Sequence, residues 1–155
     1  MFTKSEISQI TLCFDIAKKA HKDQTRRGGS PYFEHPHAVS ESTVVRDDCI
    51  MKCVSLLHDT IEDTGMTAEK LLDLGVWKEI VDIIVCLTKT SNESYDKFID
   101  KIIARGNDKA IIVKIADIVS NLTDCPNARQ IDKYTRALTK LAFSYKEFER
   151  PSYGD

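Results

Sequence analysis

His58 and Asp59 are adjacent, and Glu62 and Asp63 each follow one of them at a helical turn's distance. Ile50, Cys53, Val54, Leu57 and His58 recur at i, i+3, i+4, i+7 and i+8, so the histidine continues a face expected to be buried. At 100° per residue, His58, Asp59, Glu62 and Asp63 share roughly one side of that helix's end. Three carboxylates crowded beside an imidazole repel one another unless positive charge lies between them, and a divalent cation meets that need. Asp117 and Asn121 form a second anomaly, one turn apart within the apolar run Ile111–Leu122. A carboxylate there requires a counter-charge. A metal shared with His58 and Asp59 supplies one; a buried salt bridge, or capping of another helix, would serve as well. Taken singly, Glu62 and Asp63 also read as solvated helix-end residues and His58 as a hydrogen-bonded core histidine.

Other residues are less specific. His35 precedes Pro36, and His37 and His21 are equally available as partners on composition alone. Cys49 and Cys53 have i, i+4 spacing but no second cysteine pair, and read as small core residues. Arg26 and Arg27 beside Gly28 and Gly29 make either a solvated turn or an anion clamp, with guanidinium forks and close backbone approach.

Helices must position these groups. Thr3 and Glu6 predict a capping box, followed by Ile7, Ile10, Phe14 and Ala17 at helical spacing as far as Ala20 and His21. Residues 22–34 read as a loop, and Pro36 can open a second helix through Ala38 and Val39. The His58 helix is expected to reach Gly65, a short one to restart at Thr67, and another to follow Gly75 through Leu87. Tyr95, Phe98, Ile99 and Ile102 mark a helix stopping near Gly106. One more spans Ala110 to Asp124, limited by Pro126, and the last runs from about Arg129 towards Pro151. The fold class is therefore all-α, a helical bundle, with residues 1–150 as a single domain and 151–155 as a flexible C-terminal tail.

The 155 residues carry 22 basic and 24 acidic side chains for a net charge of −2, which argues against a general nucleic-acid binder. No apolar run approaches the ~20 residues of a membrane span. Five cysteines without framework spacing and an N-terminus lacking a long apolar stretch suggest reduced thiols and a cytoplasmic protein. The expected partner is a small molecule, with no nucleic acid and no membrane; oligomeric state is not legible.

The histidine–aspartate pair at 58–59, with an upstream histidine and a downstream aspartate, resembles the HD-domain metal-dependent phosphohydrolases. RRGGSPYFEHPHAV (26–39), LLHDTIEDT (56–64) and KIADIVSNL (114–122) make the match closer. They resemble the hydrolase domain of the RelA/SpoT alarmone enzymes, especially the stand-alone small alarmone hydrolases, from about Phe14 to about Tyr134. The chain is shorter than those enzymes' combined hydrolase, synthetase and regulatory domains. The resemblance implies an HD-type bundle holding one Mn²⁺ through His35, His58, Asp59 and Asp117, a donor set that suits a borderline first-row cation. It further implies that Glu62 and Asp63 position or deprotonate the attacking water. Arg26 would lie near the nucleobase or metal, and Arg27 near the substrate phosphates. Tyr32 and Asn121 would shape the pocket and hold the ribose. The chain departs from the pattern at Ile118 and Thr123, where basic residues are usual, and at Gly28, where a polar one is commoner.

The implied activity is Mn²⁺-dependent hydrolysis of (p)ppGpp to GDP or GTP and pyrophosphate. Arg27 and Lys114 would help offset phosphate charge. Two alternatives keep the same site. One is an NADPH 2′-phosphatase or another nucleotide phosphohydrolase, left open by Ile118 and Thr123. The other is a nucleotide-binding sensor without turnover.

Overall fold

The computed structural model describes residues 1–145, and over these the protein is built from helices: α1 (Lys4–Ala20), α2 (Glu34–Ser40), α3 (Cys49–Leu57), α4 (Thr60–Asp63), α5 (Ala68–Asp73), α6 (Lys78–Leu87), α7 (Tyr95–Arg105), α8 (Asp108–Leu122) and α9 (Ala128–Ser144). The last helix, expected to run towards Pro151, instead ends at Ser144, where Tyr145 is extended, and the expected tail at 151–155 lies outside the described residues. α3 is central, packed against α1, α2, α6 and α8, while α9 lies across α7 and α8. Among the described residues the only β pairing is an isolated bridge between Thr25 and Pro31, which closes the 22–33 loop into a tight turn. Gly29 sits in that turn at φ +89°, a conformation that an L side chain rarely adopts.

Caps set most of the boundaries. Thr3 and Glu6 form the reciprocal capping box at α1. Ser94 caps α7, which ends on Gly106 in the left-handed region. Asn107 caps α8 and Asn127 caps α9. Asp48 caps α3, accepting from the Met51 amide at 2.8 Å, and also pairs with Lys109 of α8. It thereby fixes the start of the central helix against the helix that carries Asp117. Burial opposes ionisation of Asp48, but Lys109 and the Met51 amide outweigh it and hold its carboxyl below the usual range. Asp48→Ala should lower unfolding stability at neutral pH by about 1–2 kcal/mol. Because the folded-state pKa is depressed, the difference from the parent should be full above about pH 4 and vanish as pH falls through the folded value. Denaturant unfolding at pH 7 and pH 3 checks both statements.

Three expectations need correction. The buried stripe of α1 runs through Gln9, Cys13, Ile16 and Ala17 rather than through Ile7, which is exposed; α1 turns a thiol-bearing face to α3, where Cys49 and Cys53 are buried. α2 begins at Glu34, so His35 lies inside its first turn and Pro36 is the third helical residue. A missing amide costs little there, because first-turn N–H groups lack intrahelical partners anyway. Finally, the helix expected to run from Ile50 to Gly65 is interrupted at His58–Asp59. Side-chain donors take over the carbonyls at that point: the Thr60 hydroxyl donates to Leu57 O at 2.7 Å and His58 Nδ1 to Ser55 O at 2.7 Å. Local side-chain bonds of this kind compete with the helical ladder.

Candidate active site

His58 comes from the end of α3, Asp59 from the junction with α4, His35 from α2 and Asp117 from the middle of α8. Their functional atoms converge. Ligand atoms of His35, His58 and Asp59 all lie within 4.8 Å of one another. Asp117 Oδ1 is 3.0 Å from His35 Nε2 and 3.5 Å from His58 Nε2, and Asp59 Oδ2 is 3.1 Å from His58 Nε2. His35, His58 and Asp117 are buried.

The donor set fits a divalent cation on one decisive detail. His58 Nδ1 faces the Ser55 carbonyl, which can only accept, so this nitrogen carries a proton. In the neutral ring that leaves Nε2 as a bare lone pair. It is fully buried, faces two carboxylates and has no hydrogen-bond partner. Burial pushes the His58 pKa down, but Asp59 and Asp117 override it and hold the pKa well above the ordinary imidazole value. The cluster demands positive charge at that nitrogen. Burial likewise raises the carboxyls, yet His58 holds Asp59 below the usual carboxylate range, and Lys114 with both imidazoles does the same for Asp117. His35 is oriented by the Ser120 hydroxyl, 3.2 Å from its Nδ1. Fixing the remote nitrogen of each imidazole is how protein surroundings aim such ligands.

Asp117 also has the ion pair that its burial called for. Lys114 donates to its Oδ2 at 2.7 Å, and Asn121 to its Oδ1 at 2.7 Å. The salt bridge and the converging cluster are thus one arrangement, not rival ones.

The cluster floors a cleft of about 230 Å³ lined by Tyr32, Asp59, Glu62, Asp63, Lys89 and Lys133, among others. Glu62 accepts from the Lys89 amide at 3.1 Å. Tyr32 donates its hydroxyl between Asp59, at 2.7 Å, and Asp63, at 3.1 Å. Partial desolvation and the neighbouring Asp59 charge raise the Asp63 carboxyl above its ordinary value. Lys133 lies over the rings of Tyr95 and Tyr134, 4.6 and 4.4 Å from their centroids. Arg26 and Arg27 border an adjoining cavity of about 220 Å³, which shares Tyr32, His35 and Asn121 with the first. Arg26 pairs there with Asp124 at 2.6 Å.

The remaining histidines separate cleanly. His37 is exposed and stacks on Phe33, and His21 lies behind Tyr32. Lys89 and Lys133 were not singled out from sequence; lone lysines in a connector and on a polar helix face carry no signal. Ile118 is fully buried in the core, so its departure from the expected pattern changes packing rather than the cleft lining. Thr123 turns its hydroxyl back onto Ser120 O at 2.8 Å, and Gly28 has open space around it.

No family model matches the chain. Among curated proteins it is 42% identical over 94 residues to a Mycoplasma genitalium protein named "Probable guanosine-3′,5′-bis(diphosphate) 3′-pyrophosphohydrolase", covering 60% of this chain and 13% of that protein. It is 30% identical over 156 residues to the Mycobacterium tuberculosis bifunctional (p)ppGpp synthase/hydrolase RelA, covering 92% of this chain and 21% of that one. The chain thus spans about a fifth or less of the length of these relatives. A solved structure described as a metazoan ortholog of SpoT that hydrolyses ppGpp superposes with a TM-score of 0.74 at 21% identity, over 94% of this chain and 88% of that one. That likeness establishes the all-α fold, and the sequence similarity relates most of the chain to one part of the much longer RelA/SpoT-type proteins.

Proposed function

We propose that this protein is a metal-dependent pyrophosphohydrolase acting on (p)ppGpp, leaving GDP or GTP and releasing pyrophosphate. Mn²⁺ is the proposed cation, with His35, His58, Asp59 and Asp117 as its ligands. The observation that carries the reading is the buried, unpartnered Nε2 of His58, aimed between Asp59 and Asp117, two carboxylates that line a lysine-bearing cleft. The names of the relatives, one a guanosine-3′,5′-bis(diphosphate) 3′-pyrophosphohydrolase and one a (p)ppGpp synthase/hydrolase, support the choice of nucleotide.

When bound, a divalent cation lowers the pKa of water and offsets phosphoryl charge. The chain's own residues supply the rest. Ser55 and Ser120 hold the two imidazoles in orientation. Asp63 accepts the proton of the attacking water, a task suited to a carboxylate made more basic than usual. Glu62, anchored on the Lys89 amide, helps orient that water. Lys89, Lys114 and Lys133 oppose the charge of the diphosphate. Arg26 and Arg27, with Tyr32 and Asn121, border the adjoining cavity in which the nucleoside is proposed to sit. In the balanced reaction, water's oxygen adds to the phosphorus attached to the ribose 3′-oxygen. The P–O3′ bond breaks, and the 3′-oxygen leaves as a hydroxyl after taking up a proton.

A substrate panel of ppGpp, NADPH and common nucleotides in Mn²⁺, with pyrophosphate and orthophosphate scored separately, tests the reading. Pyrophosphate from ppGpp is the expected result. Orthophosphate alone from NADPH or another nucleotide would replace it with the phosphatase reading. Tight ppGpp binding with no product over hours would make the protein a sensor.

A further inference from the structure

His21 closes the C-terminus of α1 and is 1% exposed, yet it lies outside the cluster of converging ligand atoms. Its Nδ1 is 2.6 Å from Gln24 Oε1, and Gln24 Nε2 donates to the backbone carbonyl of Asp63 at 2.7 Å. The chemistry of that carbonyl fixes every proton in the chain. It can only accept, so the amide's NH₂ must face it and the amide's oxygen must face His21. His21 Nδ1 therefore donates. His21 Nε2 is left buried without a partner, although an apolar ring could fill the same space at less cost. The polar value of His21 resides in its Nδ1–H. The other side of the imidazole backs Tyr32, with ring centroids 4.8 Å apart, and the Tyr32 amide donates to Gln24 O at 2.9 Å. Tyr32 in turn holds Asp59 and Asp63 through its hydroxyl.

We infer that His21 is a positioning residue: through Gln24 it fixes the main chain at Asp63, and through its ring it fixes Tyr32, so that the Asp63 carboxylate is held in place from behind as well as from the cleft. The inference rests on the role proposed above for Asp63. It assigns to His21 no contact with substrate or metal.

The test uses His21→Phe, which keeps the ring and removes the donor, and His21→Asn, whose amide nitrogen reaches the place of Nδ1. Gln24→Leu cuts the relay at a half-buried position where folding is less at risk. His21→Phe and Gln24→Leu should each lower kcat for ppGpp about tenfold, as misplacement of a reacting group does, with KM and Mn²⁺ affinity unchanged. His21→Asn should restore most of the loss. In an Asp63→Asn background, Gln24→Leu should cost nothing further, because the relay ends at Asp63. Amide hydrogen exchange over residues 60–66 should quicken in His21→Phe and Gln24→Leu but not in His21→Asn. Parent-like kcat in Gln24→Leu, or an equal loss in the Asp63→Asn background, would overturn the inference. If the parent protein leaves ppGpp intact, the proposed function fails instead. Exchange over 60–66 then decides alone: faster exchange upholds the relay, and unchanged exchange sinks it.

Discussion

Asp59→Asn should abolish tight binding of Mn²⁺ and, with it, turnover of ppGpp. The substitution keeps the side chain's shape and an oxygen for the Tyr32 hydroxyl, but removes one of the two negative charges nearest His58 Nε2. Partners that merely orient ligands are worth ~10–100-fold in metal affinity, so losing a charged ligand should cost more than about 100-fold. Calorimetric titration of Mn²⁺ into chelator-stripped protein measures this directly. Thermal unfolding provides a reading independent of activity. The parent should gain about 2.7 kcal/mol at a Mn²⁺ concentration 100 times its Kd, and Asp59→Asn should gain almost nothing at that concentration. Asp117→Asn is the poorer probe. It would strand Lys114, which is buried against Asp117, and breaking such a pair costs about 3–5 kcal/mol of stability by itself. Parent-like Mn²⁺ affinity in Asp59→Asn would remove that residue from the ligand set.

Asp63→Asn should separate catalysis from metal binding. The Asp63 carboxylate meets the cluster only through Tyr32 and through space, so Mn²⁺ affinity should stay near that of the parent. Turnover should fall by about 10²–10⁴-fold, the usual value of a positioned general base. KM should change little, because an amide still fills the space and still accepts from Tyr32. Glu62→Gln should show the same separation with a smaller loss, since the Lys89 amide can bond an amide oxygen as well as a carboxylate. Steady-state kinetics at saturating Mn²⁺ decides the assignment. Full activity in Asp63→Asn would move the base elsewhere, and the relay from His21 would lose its purpose.

The departures at Ile118 and Thr123 show why sequence pattern and pocket chemistry must be read together. A basic residue missing after Asp117 looks like a lost phosphate contact. On α8, however, Ile118 is one 100° step from Asp117 and lies fully inside the core. The positive charge of the cleft comes instead from Lys89 in a connector, Lys114 on α8 and Lys133 on α9. Two of these carried no signal in the sequence, because lysines spaced far apart reveal nothing until the chain is folded.

Helical periodicity and caps made the all-α class legible. Thr3–Glu6 and Gly106 mark real helix ends, and Asp117 and His58 stood out as polar groups on apolar stripes. These are local properties: hydrogen bonding and burial repeat every few residues, and the sequence displays that repeat directly. The choice of His35 over His21 and His37 was not local. Three histidines equal on composition became a member of the cluster, a support behind Tyr32 and a surface residue only once α2 had packed against α3 and α8. The break at His58–Asp59 was likewise hidden, because it depends on side-chain donors displacing backbone ones. By itself, then, the chain's order of residues determined the helices and the anomalous charges within them. Packing alone decided which of those charges meet, since His35 and Asp117, 82 positions apart along the chain, touch only when the elements that carry the cluster close on one another.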